Sequence, residues 1–234
     1  MPFSNMTLEE LARHIGMDAR ELRRLAEKGV LPAQLVGGQW RFNRAEVLDW
    51  LQREMHTLGD SHVRNLERAM SATRDEAVLE RLLRPEAVDM ALPARSRNSV
   101  LRELVRLAER TGLVYSADDI IEALEQREAL CSTALAGGFA FPHPRRPLPY
   151  ATAEPLVCLA RVPAGIPFGA PDGRLTFIFT LLCSHEERDH LQCLARLAAV
   201  FQTDVYENLV GLDDPAEALE TLLAAERAVL ARRR

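Results

Sequence analysis

Two apolar runs in the second half of the chain, PLVCLARV (155–162) and LTFIFTLLC (175–183), set the tightest limit on what it can fold into. Both are too short to cross a bilayer and are rich in residues that suit a strand covered on both faces, so each belongs inside a sheet shielded by other elements. The shields are present. Ahead of the runs, SRNSVLRELVRLAERTG (96–112) puts Val100, Leu101, Leu104, Val105 and Ala108 on one helical face with Gly112 to close it, and Ser116 with Asp119 opens another helix through IIEALEQREAL. Behind them, HLQCLARLAAVF and DPAEALETLLAAERAVL read as helices. This alternation implies an α/β sandwich whose central sheet carries helices on its faces, with functional loops at the strand ends.

The first 55 residues have a different texture. Leu8, Leu11, Ala12 and Ile15 fall at helical spacing behind a T-x-x-E capping pattern, Thr7 with Glu10. A second short helix follows, with Asp18 to cap it, Gly29 to close it, and Leu22, Leu25 and Ala26 on one face. Arg20, Arg23, Arg24 and Glu27 occupy the other face. Two strand-like runs then meet across Gly37-Gly38, a pair suited to a tight hairpin turn, and Asn43 with Glu46 opens a third helix whose Val47, Leu48, Trp50 and Leu51 pack back. Two helices, a wing and a third helix suit a winged helix-turn-helix that binds DNA through its second helix, with Arg20, Arg23 and Arg24 meeting phosphates or guanine edges and Arg41 on the wing reaching the backbone. A solvated charged face is the plainer reading of those arginines, and Trp40 and Trp50 are read as core.

Residues 8–51 resemble the excisionase-type DNA-binding domain related to MerR-like helix-turn-helix modules, most clearly in KGVLPA, the VGGQWRF hairpin and the final DWL. One such module offers little contact surface, so useful affinity calls for a homodimer or several copies on repeated sites. The linking residues 56–78 are polar, with Val63, Leu66 and Met70 at helical spacing. They read as a helical connector, and three apolar positions do not decide between a spacer and a dimer seam.

A formal charge of -5 argues against a generally basic nucleic-acid coat, while leaving room for a local basic face. The cysteines Cys131, Cys158, Cys183 and Cys193 show no C-x-x-C or other ligand spacing, so no metal or redox cofactor is implied and they are read as buried free thiols. With no signal pattern and no membrane-spanning run, the protein is read as cytoplasmic.

Within 79–234 the most distinctive stretch is GGFAFPHPRRP, which fixes His143 between two prolines ahead of Arg145 and Arg146. Zinc would need further ligands, and only His185 and His190 offer imidazoles in this half. A hydrolase triad would need a nucleophile on a sharp turn, and no G-x-S-x-G occurs. That leaves a phosphoryl acceptor or a satisfied structural histidine. Acceptance of phosphate requires a neutral, exposed ring nitrogen, held through its other nitrogen, with positive charge near.

The segment QREALCSTALAGGFAFPHPR is similar to the active-site segment of phosphotransferase-system enzyme IIA of the mannitol/fructose/nitrogen-regulatory type, and the similarity runs through IPFGAPDGRLTFIFTLLC to HLQCLARLA. The resemblance implies an enzyme IIA-like sandwich with a central mixed β-sheet over residues 79–234. It implies His143 as the phosphorylated residue, His190 as the second imidazole and Arg127 as the cation beside the phosphate. It further implies an HPr-like phosphocarrier as donor and a IIB domain or a regulatory protein as the downstream partner. Three positions depart from the pattern: Ala134 and Ala136 replace glycines after the threonine, and Pro144 replaces the glycine after the histidine, removing a backbone donor that Arg145 or Arg146 would have to replace. Together the two resemblances imply a regulator in which phosphorylation of the IIA-like part is coupled to DNA or partner binding. A plain phosphocarrier with a docking module and a catalytically silent scaffold stand as alternatives.

Overall fold

The computed structural model describes residues 5–54 and 77–232, and the chain divides into two compact units, Met1–Arg74 and Asp75–Arg234. Nearly all of the expected connector, with Val63, Leu66 and Met70, lies outside the described residues.

In the first unit, β1 (Asn5–Met6) leads into α1 (Leu8–Ile15) and α2 (Ala19–Glu27), then β2 (Gln34–Val36), β3 (Gln39–Asn43) and α3 (Arg44–Glu54). The caps are those the residues call for. Thr7 accepts from Glu10 N while the Glu10 carboxylate reaches back to Thr7 N, and Asp18 accepts from Arg20 N and Glu21 N. β2 and β3 pair antiparallel with Val36 opposite Gln39, so the turn is only Gly37-Gly38, and both glycines have positive φ, 57° and 77°. A side chain there would force L-residues into a strained region, hence the glycine pair. The strand β1, which the sequence pattern does not announce, adds to the far side of β3 to give the order β1-β3-β2. Leu11, Ile15, Leu22, Phe42, Val47 and Leu51 are at most 1% exposed and form the core. Trp50 joins them, but Trp40 is only half-buried, because it lies on the wing opposite the exposed Leu35.

The second unit carries α4 (Val78–Leu82), β4 (Leu83–Asp89), α5 (Arg97–Glu109), α6 (Ala117–Leu130), β5 (Ala134–Leu135), β6 (Phe139–Ala140), β7 (Leu156–Ile166), β8 (Thr176–Cys183), α7 (Glu187–Phe201), α8 (Val205–Val210) and α9 (Pro215–Ala231). Its five-stranded sheet runs β4-β7-β8-β6-β5. The β4–β7 and β6–β8 pairs are parallel and the β7–β8 and β5–β6 pairs antiparallel, so the sheet is mixed. The two apolar runs are its neighbouring inner strands β7 and β8, with Leu156 through Ala160 all buried, as a strand covered on both faces requires. The edge strand β4 was hidden in the sequence by Pro85, Glu86 and Arg84, residues that an edge tolerates and a central strand does not.

A buried ion pair ties the helices together. Arg196 on α7 lies 2.5 Å from Glu226 on α9, both at 1% exposure or less. Glu226 also accepts from Leu79 N and Glu80 N at 2.9 and 3.1 Å, which caps the start of α4. Cys158, Cys183 and Cys193 are buried free thiols, whereas Cys131, at the end of α6, is only partly buried.

Candidate functional site

His143 stands on a loop that three contacts hold against the sheet. Phe141 N donates to Thr133 O at 3.2 Å, Leu182 N on β8 donates to Pro142 O at 3.0 Å, and Leu148 N donates to Ser184 O at 3.1 Å. The phenylalanines before it have a task of their own. Phe139 packs against Phe201 with tilted rings at 4.7 Å and Phe141 meets Phe201 edge-on at 5.1 Å, so the loop leaves the sheet from an aromatic base at the end of α7.

The His143 ring is itself fixed by a short bond: Nδ1 lies 2.6 Å from Phe141 O. A carbonyl only accepts, so Nδ1 carries the proton and Nε2 keeps its lone pair. The ring is 3% exposed, and Nε2 is buried with no hydrogen-bond partner among the described residues. The chemistry asks for an exposed nitrogen. The structure instead supplies a neutral one, held through Nδ1 and buried.

His190, in the first turn of α7, meets His143 edge to face with ring centres 5.1 Å apart. Its Nδ1 is 2.8 Å from Ser184 Oγ. Burial, then the charge of Arg127, lowers the His190 pKa to about 3. Burial first, then His190 and Arg127, hold His143 well below the ordinary imidazole value. Both rings are therefore neutral at neutral pH. Arg127 is 4% exposed near the end of α6 and donates through Nη1 to Cys131 O at 2.9 Å and Cys131 Sγ at 3.2 Å. Its charge helps to lower the pKa of both imidazoles, and the two imidazoles themselves are in direct contact.

The other side chains weighed from the sequence differ in burial and partners. His185 Nε2 is 3.0 Å from both Thr152 O and Thr152 Oγ1 and is occupied there. Arg145 and Arg146 are exposed, in contrast to the buried imidazole that precedes them. Ala134 and Ala136 adopt no left-handed backbone, which removes the strain that would otherwise demand glycine at those positions.

Sequence reasoning missed the supports. Glu128, 4% exposed, accepts from Thr133 N and Thr133 Oγ1 and pairs with Arg97 at 2.6 Å, fixing the turn that carries Cys131 beside Arg127. The Arg97 guanidinium also lies 5.3 Å above the Phe168 ring. The adjacency of Glu128 to Arg127 and the nearby Thr133 were visible signals. Nothing local marks Arg97 or Ser184.

In the first unit, Arg23 on α2 and Arg41 on the wing line one groove of about 480 Å³ together with Thr7, Glu9, Glu27 and Trp40. Arg41 donates to Gln39 at 2.9 Å. Arg20 and Arg24 are exposed on the same helix but do not line this groove, and Arg24 stands 3.9 Å from Glu21.

Residues 81–225 match the family described as phosphoenolpyruvate-dependent sugar phosphotransferase system, EIIA 2, and residues 6–55 match a helix-turn-helix domain family. The chain is 34% identical over 154 residues to a nitrogen regulatory protein of Bradyrhizobium diazoefficiens, covering 64% of this chain and 97% of that one. It is 30% identical over 129 residues to a fructose-specific EIIA component of Haloferax volcanii, covering 53% of this chain and 81% of that one. Among solved structures, the nitrogen regulatory protein IIA-Ntr of Neisseria meningitidis superposes with a TM-score of 0.55 at 26% identity, covering 61% of this chain and 97% of that one. The IIA mannitol protein of Escherichia coli, at 21% identity and a TM-score of 0.51, covers 58% of this chain and 96% of that one and has the same fold. No helix among the described residues is long and apolar enough to cross a membrane.

Proposed function

The chain belongs to the phosphoenolpyruvate-dependent sugar phosphotransferase system EIIA 2 family, and we propose that His143 is its phosphoryl acceptor. The donor is an HPr-like phosphocarrier in the cytoplasm. Residues 79–234 form the accepting domain, 56–78 the link, and 1–55 a DNA-binding domain that acts as a homodimer or in several copies. Phosphorylation adds nearly two negative charges and thereby alters contact with DNA, a regulatory protein or a IIB domain.

One hydrogen bond carries the reading. Donation from His143 Nδ1 to Phe141 O leaves Nε2 as the nucleophile and fixes its direction. In the transfer the donor's P–N bond breaks and a bond from phosphorus to Nε2 forms. The donor imidazole, protonated at its other nitrogen, leaves neutral, and His143 becomes a phosphoimidazolium whose Nδ1–H stays on the carbonyl. Arg127 offsets the phosphoryl charge. A second reading, a silent scaffold, is favoured by the sealing of Nε2.

The test is incubation with phosphoenolpyruvate, enzyme I and HPr, followed by intact mass and acid lability. The expected result is one acid-labile phosphate on the wild type and none on His143→Ala. Phosphate kept by the mutant removes His143 from the role, and an unmodified wild type supports the scaffold.

A further inference from the structure

We propose that Ser184 is a positioning residue that holds the His190 proton on Nε2, making His190 a hydrogen-bond donor to the phosphoryl group on His143. The inference rests on His143 as acceptor.

Ser184 lies just past the end of β8 and is 3% exposed. It is held from both sides of the site. Its carbonyl accepts from Leu148 N, on the loop that begins at His143, and its hydroxyl meets His190 Nδ1 at 2.8 Å. His190 N donates to Glu186 O at 3.0 Å, so the backbone beneath the ring is fixed by the start of α7.

A serine hydroxyl can donate or accept, and a neutral imidazole carries one proton, so the pair has two arrangements. If Nδ1–H donates to Ser184, both rings keep a lone pair on Nε2 and neither offers a donor to a dianion. If the Ser184 hydroxyl donates to Nδ1, the His190 proton sits on Nε2. The pair then divides its labour, with His143 the nucleophile and His190 the donor. The ring centres are 5.1 Å apart, which puts the second imidazole within reach of a phosphoryl group carried by the first. Only the second arrangement stabilises the product.

The experiment uses the full chain with ¹⁵N-labelled imidazoles, read by long-range proton–nitrogen correlation at neutral pH without phosphate, with His190→Gln to assign the ring. In the wild type, Nδ1 of His190 should show the shift of a bare nitrogen and Nε2 that of a protonated one. Ser184→Ala should move both shifts towards the average of two tautomers, and Ser184→Thr, which keeps the hydroxyl, should restore them. Phosphorylation from phospho-HPr should slow about twofold in Ser184→Ala, the factor expected when the donor tautomer falls to about half of the population, and recover in Ser184→Thr. A proton on Nδ1 in the wild type, or ring shifts unchanged in Ser184→Ala, overturns the role of Ser184. A wild type that takes no phosphate overturns the acceptor reading instead, while the spectrum still decides whether Ser184 sets the tautomer.

Discussion

At the scale of single residues, burial governs the chemistry of this site. Taking an imidazole out of water penalises its charged form, and the neighbouring guanidinium of Arg127 adds to the penalty, so His143 and His190 stay neutral far below the pH at which a free ring would protonate. That neutrality has a consequence for stability. The folded pKa of each ring lies below its unfolded value, so the contribution is complete above the ordinary value of 6.5 and is lost as pH falls from there towards about 3 for His190. His190 should cost about 1.4 kcal/mol per pH unit in that window, or about 2 kcal/mol between pH 6.5 and 5. Urea midpoints at pH 7 and pH 5 measure this. The fall should be smaller by about that amount in His190→Gln, and equal falls in the two proteins would contradict it. That His143 and His190 lie side by side was legible from the motif, because the pattern carries residue types in order. Ser184 was not, because a lone serine six residues from a histidine has no signature until a strand end and a helix start bring the two together.

Among elements, α4, α7 and α9 depend on one carboxylate. Glu226 holds Arg196 and two amides of α4, and the carboxylate and the guanidinium are both buried. Removing one member of such a pair leaves the other charged and unpaired, so Glu226→Ala should destabilise the second unit by about 3–5 kcal/mol. Replacing both residues together with apolar ones should cost much less. Chemical denaturation of the single and double variants decides it, and equal losses would mean that packing rather than charge explains the effect. The inner strands and long helices were readable from periodicity and caps. The edge strand β4 and the two-residue strands β5 and β6 were not, since pairing partners rather than their own residues make them strands.

For the whole molecule, the chain forms two compact units, and the candidate cations of the first can be tested apart from the phosphoryl acceptance proposed for the second. Arg23→Ala and Arg41→Ala should each weaken DNA binding evenly across sequences and lower the salt slope by about 0.9, the effect of losing one phosphate contact. Glu27→Gln, in the same groove, should strengthen it. Fluorescence anisotropy at several salt concentrations reads both effects, and binding that ignores salt would rule out a phosphate-contacting groove. Capping residues, the glycine turn, the two apolar strands and the order of the site motif were determined by the sequence alone, because each is a local property of residue type and spacing. Tertiary structure alone decided that His143 is sealed, that burial, with His190 and Arg127 adding to it, keeps its ring neutral, and that Glu226 and Ser184 hold their partners. Those depend on the distances between residues far apart in the chain and on the exclusion of water, neither of which exists until the sheet and helices close.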